Sequence, residues 1–276
     1  MDAKHILSRY GYRLGYTLGE GTYSKVKFAT SEQHQRDVAI KVIDRRKLPP
    51  DFEEKFLPRE VDLLRSLHHQ NIVEVLQLIE GCRGYIFFVM ELAQSDLLRL
   101  MQERGSLDQS TARGIFTELC SAVHYLHQMH VAHRDVKCEN VLLVDGLHVR
   151  LTDFGFARQH PGCLEELSKT YCGSAAYTSP EVLLGTPYDP RLLDLWSLGV
   201  VLFIMVTGYM PFDDSNLMQL VRQQKKGVTF SGVDTRCEDL ILKLLSFKPL
   251  ARPQLAQVFL HPWMMEAPDQ DLMLIR

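Results

Sequence analysis

The stretch His133-Arg134-Asp135-Val136-Lys137-Cys138-Glu139-Asn140, followed downstream by Asp153-Phe154-Gly155, constrains this chain more than any other feature. Asp135 can accept a proton from an attacking hydroxyl. Lys137 can steady a phosphoryl group in transit. Asn140 and Asp153 offer hard oxygen donors, the kind that Mg²⁺ takes. A His-Arg-Asp triplet alone would carry little weight. The full eight-residue pattern, with Asp-Phe-Gly at that distance, points to phosphoryl transfer. A fold that uses it has to hold two loops side by side.

The chain has 276 residues, enough for one large or two-lobed domain. Apolar residues make up 46 % and supply a core, while the 24 % charged residues are ordinary for a globular protein. The formal charge of −3, with no basic block, argues against nucleic acid and against an anionic membrane as partners. The start, Met1-Asp2-Ala3-Lys4-His5, has no apolar signal core and no glycine at position 2 for myristoylation. The longest apolar run, residues 198–206, is far short of the ~20 residues of a membrane span. Cys82, Cys120, Cys138, Cys163, Cys172 and Cys237 show no paired spacing and read as free thiols in a reducing compartment. There is no zinc-type cluster and no internal repeat.

Residues 1–11 read as a short lead-in, and residues 12–44 are strand-like with Gly turns. Within them Leu18-Gly19-Glu20-Gly21-Thr22-Tyr23-Ser24-Lys25-Val26 falls where two strands meet. Its glycines let a backbone approach phosphates closely. Two glycines in a hairpin are by themselves more often just a hairpin. Val38-Ala39-Ile40-Lys41 adds the chemistry, because a lysine in an apolar strand needs a partner. Glu60 fits: Leu57, Val61, Leu64 and Leu67 fall at helical spacing across residues 53–67. Strands are expected at 72–79 and 85–91.

Further on the period becomes helical. Ala112, Ile115, Phe116, Leu119, Val123 and Leu126 make one apolar face, with Ser106 as the expected N-cap. Short strands at 141–143 and 149–152 flank a turn at Asp145-Gly146 and put Asn140 and Asp153 on neighbouring loops. Residues 153–181 lack regular pattern, and a long irregular loop inside a compact domain is usually functional. Residues 195–206 are apolar all round, the mark of a buried helix. Residues 264–276 read as a short tail.

Residues 12–263 resemble eukaryotic protein kinases. The resemblance implies an α+β, bilobal protein kinase fold. Its β-rich N-lobe (12–91) has one main helix, and its C-lobe (92–263) is larger and mainly helical. The resemblance also implies ATP and Mg²⁺ as cofactors, bound between lobes. Asp135 would be the base, Lys137 would steady the phosphoryl group, and Asn140 and Asp153 would hold the metal. Lys41 would grip the α- and β-phosphates, and Glu60 would hold Lys41. Leu18, Gly19, Glu20, Gly21, Thr22, Tyr23, Ser24, Lys25 and Val26 would cover the nucleotide. Val26, Ala39 and Leu142 would sandwich the adenine, and Met90 would limit a back pocket. The Glu91 carbonyl and the Ala93 backbone would meet the adenine edge. Asp194 would cap the catalytic loop, and Arg252 would pair with Glu181.

The same resemblance assigns regulation and specificity. Thr170 matches the activation-loop phosphosite, with Arg134 as its partner, and Ser174 matches the hydroxyl residue that faces the catalytic loop. Glu139 and Asp96 would read an Arg three residues before the acceptor. The alternative for Asp96 is an exposed helix N-cap. Three positions depart from the kinase pattern: Ser24 replaces a third Gly, Ser179 replaces the Ala of Ala-Pro-Glu, and Ala93-Gln94-Ser95-Asp96 lacks a Gly-Gly pair.

Lys137 with Gly173-Ser174 matches the Ser/Thr type. GEGTYSKVK at 19–27, FLPRE at 56–60, LTDFGF at 151–156, YCGSAAY at 171–177 and PFDD at 211–214 resemble the testis-specific serine/threonine kinases. These belong to the calmodulin-kinase-like group, and the likeness implies a role in male germ-cell differentiation. It also implies protein substrates with Ser or Thr acceptors, an upstream activating kinase and chaperones. The chain would act as a monomer in the cytoplasm or nucleus. Two other readings compete. A pseudokinase scaffold would be expected to lose one of Lys41, Glu60, Asp135, Asn140 or Asp153, and all five are present. A small-molecule kinase would not need the peptide platform at 170–181.

Overall fold

The computed structural model describes residues 2–21, 24–50, 57–82, 84–159, 168 and 174–266. The chain forms two compact units, Met1–Gln94 and Ser95–Arg276.

The first unit is built on one antiparallel sheet. Strands β1 (Tyr12–Glu20), β2 (Ser24–Ser31), β3 (Arg36–Asp44), β4 (Val75–Cys82) and β5 (Tyr85–Glu91) stand in the order β1-β2-β3-β5-β4. The fourth strand starts later than the apolar run at 72 suggested. Residues 69–72 turn instead, the Ile72 amide donating to the His69 carbonyl at 3.0 Å.

Alternation along β3 gives the sheet two different faces. Val38 and Ile40 point to one, where they pack with Ala29, Phe87 and Val89. Helix α1 (Ala3–Ser8) closes that face with Ile6 and Leu7. This helix falls inside the stretch read as a lead-in. Six residues are too few to hold a helix alone. Burial of two large aliphatic side chains, worth ~1.5–3 kcal/mol each, holds it instead. Asp2 caps its start, accepting from the His5 amide at 2.9 Å. Ala39 and Lys41 lie on the opposite face. Met90 pairs across from Ala39 and Val26 across from Lys41, so all four share it. Helix α2 (Leu57–Ser66) brings Glu60 to Lys41.

The second unit is mainly helical. It contains α3 (Leu97–Arg104), α4 (Gln109–Gln128), α5 (Pro180–Leu183), α6 (Pro190–Thr207), α7 (Leu217–Lys226), α8 (Thr235–Leu244) and α9 (Leu255–Phe259). Short strands β6 (Ser95–Asp96), β8 (Val141–Val144) and β9 (His148–Leu151) form one small sheet. Strands β7 (Val131–Ala132) and β10 (Arg158–Gln159) form another. At the β8–β9 turn both Asp145 (φ 44°) and Gly146 (φ 94°) are left-handed, as a tight Asp-Gly hairpin turn requires.

Helix α6 is the centre of this unit and packs against α4 and α8. By length and composition it could cross a membrane, but 83 % of it is buried inside the protein. Helix α4 begins at Gln109 with Asp108, not Ser106, as its N-cap. The Asp108 carboxylate accepts from the Thr111 amide at 2.9 Å. The Leu107 amide donates to the Met205 carbonyl at 2.8 Å, so the residues after Ser106 are held by α6 rather than by helix α4. The start of α5 is pinned by a buried ion pair. Arg252 donates to both carboxylate oxygens of Glu181, at 2.6 and 2.8 Å. It also donates to the carbonyls of Leu192 and Ser246, and its guanidinium lies 5.1 Å from the Trp196 ring centre. A buried cation needs this degree of satisfaction; removing one partner of such a pair costs about 3–5 kcal/mol.

Candidate active site

The residues of the catalytic loop, 133–140, lie between β7 and β8. A carboxylate from α6 organises its backbone. Asp194, fully buried, accepts from the His133 amide at 2.9 Å and the Arg134 amide at 2.7 Å. His127, from the end of α4, lies 2.9 Å from the same carboxylate. Arg134 itself has φ 65°, a left-handed conformation that a non-glycine residue adopts at a cost of about 1–3 kcal/mol. Its Nε donates to the Phe156 carbonyl at 2.7 Å, tying the loop to the segment after Asp153. Two charge-assisted hydrogen bonds, each worth about 1.5–3 kcal/mol, outweigh the strain.

The side chains of the loop converge. Lys137 Nζ donates to Asp135 Oδ2 at 2.7 Å, and Asn140 Nδ2 donates to the same oxygen at 3.1 Å. Both contacts fall on Oδ2, so the two side chains converge on one oxygen of the carboxylate. Asn140 Nδ2 also donates to the Asp135 carbonyl at 2.8 Å. Its nitrogen is thus committed to the loop, and its carbonyl oxygen is the ligand it can offer. His133 supports the far side. The Asp135 amide donates to His133 Nδ1 at 3.3 Å, and His133 Nε2 donates to the Thr152 carbonyl at 3.0 Å. Phe154 packs edge-on against this imidazole, ring centres 5.0 Å apart.

The β8–β9 hairpin sets the positions of Asn140 and Asp153, the two residues expected to hold a metal. Val141 pairs with Leu151, and the Thr152 amide donates to the Asn140 carbonyl at 3.0 Å. Asn140 and Asp153 therefore stand at the same end of one hairpin. Asp153 is left-handed too, with φ 64°. An amide oxygen and a carboxylate suit Mg²⁺, which takes few protein ligands and completes its shell with water and phosphate. No group of three or more His, Cys, Asp or Glu suited to a metal occurs among the described residues.

In the first unit, Lys41 Nζ donates to Glu60 Oε1 at 2.6 Å, with the glutamate 2 % exposed. The β1–β2 hairpin carries the glycine segment. Gly19 pairs with Val26 and Glu20 with Lys25, whose side chains also pair at 2.8 Å. Leu18 is exposed, and Ser24 closes the turn through a Gly21 amide to Ser24 carbonyl bond at 2.8 Å. A Cβ placed on Gly19 would meet nothing within 4 Å. Neither packing nor a left-handed φ demands glycine there. The open space beside that backbone is what a phosphate would use. Val26, Ala39 and Met90 lie on the Lys41 face, and Glu91 and Ala93 follow along the end of β5. Leu142 belongs to β8 of the second unit. Thr22, Tyr23 and Thr170 lie outside the described residues.

The remaining expected residues fall as follows. Ser174 Oγ lies 3.3 Å from Lys137 Nζ. Glu139 is exposed. Asp96 is the N-cap of α3, accepting from the Arg99 amide at 2.9 Å. Burial pushes the Cys138 thiol up to about 12; a hydrogen bond from Tyr177 opposes this, and the charges of Glu139 and Asp96 add to it. Arg134 Nη1 is buried and has no hydrogen-bond partner among the described residues. His127, Cys138 and Tyr177 were not singled out from the sequence. For His127 the only signal was a polar residue directly after Leu126, the last member of the apolar face.

Fold and side-chain constellation together define a protein kinase. The family description of the protein kinase domain matches residues 12–264. The chain is 47 % identical over 258 residues to testis-specific serine/threonine-protein kinase 3 of Mus musculus, covering 92 % of this chain and 96 % of that protein. It is 46 % identical over 274 residues to testis-specific serine/threonine-protein kinase 1 of Mus musculus, covering 95 % and 74 %. To testis-specific serine/threonine-protein kinase 4 of Homo sapiens it is 35 % identical over 290 residues, covering 98 % and 88 %. The chain belongs to the testis-specific serine/threonine kinases of the protein kinase family and is a serine/threonine protein kinase.

Asp194→Asn replaces one of the two carboxylate oxygens with an NH₂ that cannot accept, so either the Arg134 amide on Oδ1 or the His133 amide and His127 on Oδ2 lose their acceptor. Phosphotransfer is expected to fall at least tenfold, from the loss of about 1.5 kcal/mol or more of loop-ordering hydrogen bonding, while cooperative thermal unfolding is retained. Paired kinetic and melting measurements check this, and unchanged turnover would remove the organising role.

Proposed function

We propose that this kinase transfers the γ-phosphate of ATP, in the presence of Mg²⁺, to serine and threonine hydroxyls of proteins. The observation that carries this reading is the convergence of Lys137 and Asn140 on one oxygen of Asp135, with Ser174 at hand. The other oxygen of Asp135 takes the proton as the hydroxyl attacks. Lys137 lies where negative charge moves toward the acceptor. Lys41, oriented by Glu60, binds the α- and β-phosphates. Mg²⁺ held by Asn140 and Asp153 would neutralise charge on the β- and γ-phosphates. Val26, Ala39, Met90, Glu91 and Ala93 of the first unit hold the adenine in this reading, and the glycine segment covers the phosphates. The transition state is loose, so positioning and charge neutralisation are the main contributions of the protein.

Regulation follows from Arg134. A buried guanidinium nitrogen without a partner among the described residues suits a phosphate, and phosphorylated Thr170 would supply nearly two negative charges. Autophosphorylation with radiolabelled ATP tests both parts. Lys41→Met or Asp153→Ala is expected to abolish incorporation in folded protein, and Thr170→Ala to lower turnover on an added substrate strongly. Wild-type activity in either of the first two would contradict the nucleotide roles. Equal activity of phosphorylated and unphosphorylated wild type would remove the switch.

For substrate class, the resemblance assigns Glu139 and Asp96 to an Arg three residues before the acceptor, whose planar fork matches carboxylates. Asp96 also serves as a cap, so Glu139 carries most of the preference. Peptides differing only in Arg or Ala at that position are expected to differ in kcat/KM, with Glu139→Ala erasing most of the gap. Equal turnover would dissociate both acids from specificity. The relatives are named testis-specific, which supports a role in male germ-cell differentiation; the expected place of the protein is the cytoplasm or nucleus of those cells. In situ hybridisation and immunostaining of tissue sections should find it in spermatids; signal absent from them would exclude that role.

A further inference from the structure

Thr178 joins the peptide platform to the helices behind it. Its Oγ1 donates to the Ser174 carbonyl at 2.9 Å, and its amide donates to the Ala175 carbonyl at 3.0 Å. Its own carbonyl accepts from Gln224 Nε2 of α7 at 2.9 Å. One residue earlier, the Tyr177 carbonyl accepts from Ser197 Oγ of α6 at 3.0 Å, and the Tyr177 amide donates to the Ser174 carbonyl at 3.0 Å. Ser174 Oγ lies 3.3 Å from Lys137 Nζ, which donates to Asp135 Oδ2 at 2.7 Å. A line of polar contacts thus runs from α7 through Thr178, Ser174 and Lys137 to Asp135.

We propose that Gln224 and Thr178 are positioning residues for the acceptor peptide: they fix the platform from α7 and so set Ser174 against Lys137. This rests on the kinase reading above. Thr178 is 2 % exposed and Gln224 1 % exposed, so the bond between them is shielded from water. Shielding strengthens a hydrogen bond and makes a carbonyl that loses its donor costly. The Gln224 amide faces Thr178 with its NH₂, since turning it over would bring two acceptors together. Its Oε1 is buried with no hydrogen-bond partner among the described residues, a cost that an apolar side chain of the same length would avoid. The donor is what this amide contributes. Helix α7 gives it a fixed base. Asn216 caps the helix, accepting from the Met218 and Gln219 amides, and Gln223 Oε1 accepts from the Asp213 amide at 2.9 Å. The helix also packs against α5, which starts two residues after Thr178. Two donors share the Ser174 carbonyl, so without the Thr178 hydroxyl only the Tyr177 amide restrains it. The residues proposed to bind nucleotide have no part in the Gln224 and Thr178 contacts, so the effect falls on the peptide and not on ATP.

Steady-state kinetics on the full chain, with Mg²⁺-ATP and a serine peptide carrying Arg three residues upstream, test the proposal. Gln224→Met keeps the length of the side chain and loses the donor. It is expected to lower peptide kcat/KM about tenfold, while KM for ATP stays within about twofold. Thr178→Val, which keeps the shape and loses the hydroxyl, should give a similar loss, and Thr178→Ser should recover most of it. The double variant Gln224→Met/Thr178→Val should be no worse than the more damaging single variant, because both break one line of contacts. Full peptide turnover in Gln224→Met would overturn the proposal, as would equal turnover by Thr178→Ser and Thr178→Val. So would losses that multiply in the double variant, or a parallel loss of ATP affinity that marks general destabilisation. Wild-type protein that transfers no phosphate to the peptide would instead contradict the reading of the site, before any variant is compared.

Discussion

The buried carboxylate of Asp194 is the contact on which the catalytic arrangement depends. It comes from α6, the most deeply packed helix, and it accepts from two consecutive amides of the catalytic loop and from His127. A loop of polar residues in a left-handed kink is not stable by itself. Isolated burial of the carboxylate would be unfavourable too. Each solves the problem of the other: the amides neutralise the buried charge, and the charge fixes the kink at Arg134. With that kink set, Asp135 points its carboxylate toward Lys137 and Asn140.

A second arrangement of the same kind operates in the first unit. β3 places Lys41 on one face and Val38 and Ile40 on the other. The apolar face is covered by α1, and the lysine face receives Glu60 from α2. A lysine between apolar neighbours is tolerated because one carboxylate stands 2.6 Å away. The covering of one face and the pairing on the other let the same strand serve core and chemistry.

Residues whose identity follows from chemistry were legible in the sequence. Asp135, Asn140 and Asp153 form a spaced polar set, and Lys41 in an apolar strand announces the need for an acid. Strand and helix periods located most elements within a few residues. What was not legible depends on contacts between distant segments. α1 is too short to show a helical period, and only the sheet face it covers makes it a helix. Ser106 and Asp108 are both good caps, and the choice between them is made by the Leu107 amide bonding to α6. Strand register carries Val26, Ala39 and Met90 to the Lys41 side, the face proposed for the nucleotide.

The account rests on Asp135 acting as the base for a protein hydroxyl. Phosphoamino-acid analysis after incubation of purified chain with Mg²⁺, γ-labelled ATP and a basic protein substrate tests it most directly. Wild-type protein should place label on phosphoserine and phosphothreonine, and Asp135→Asn should place essentially none while still binding ATP. Label on neither residue in wild type, or undiminished transfer by Asp135→Asn, would contradict the account.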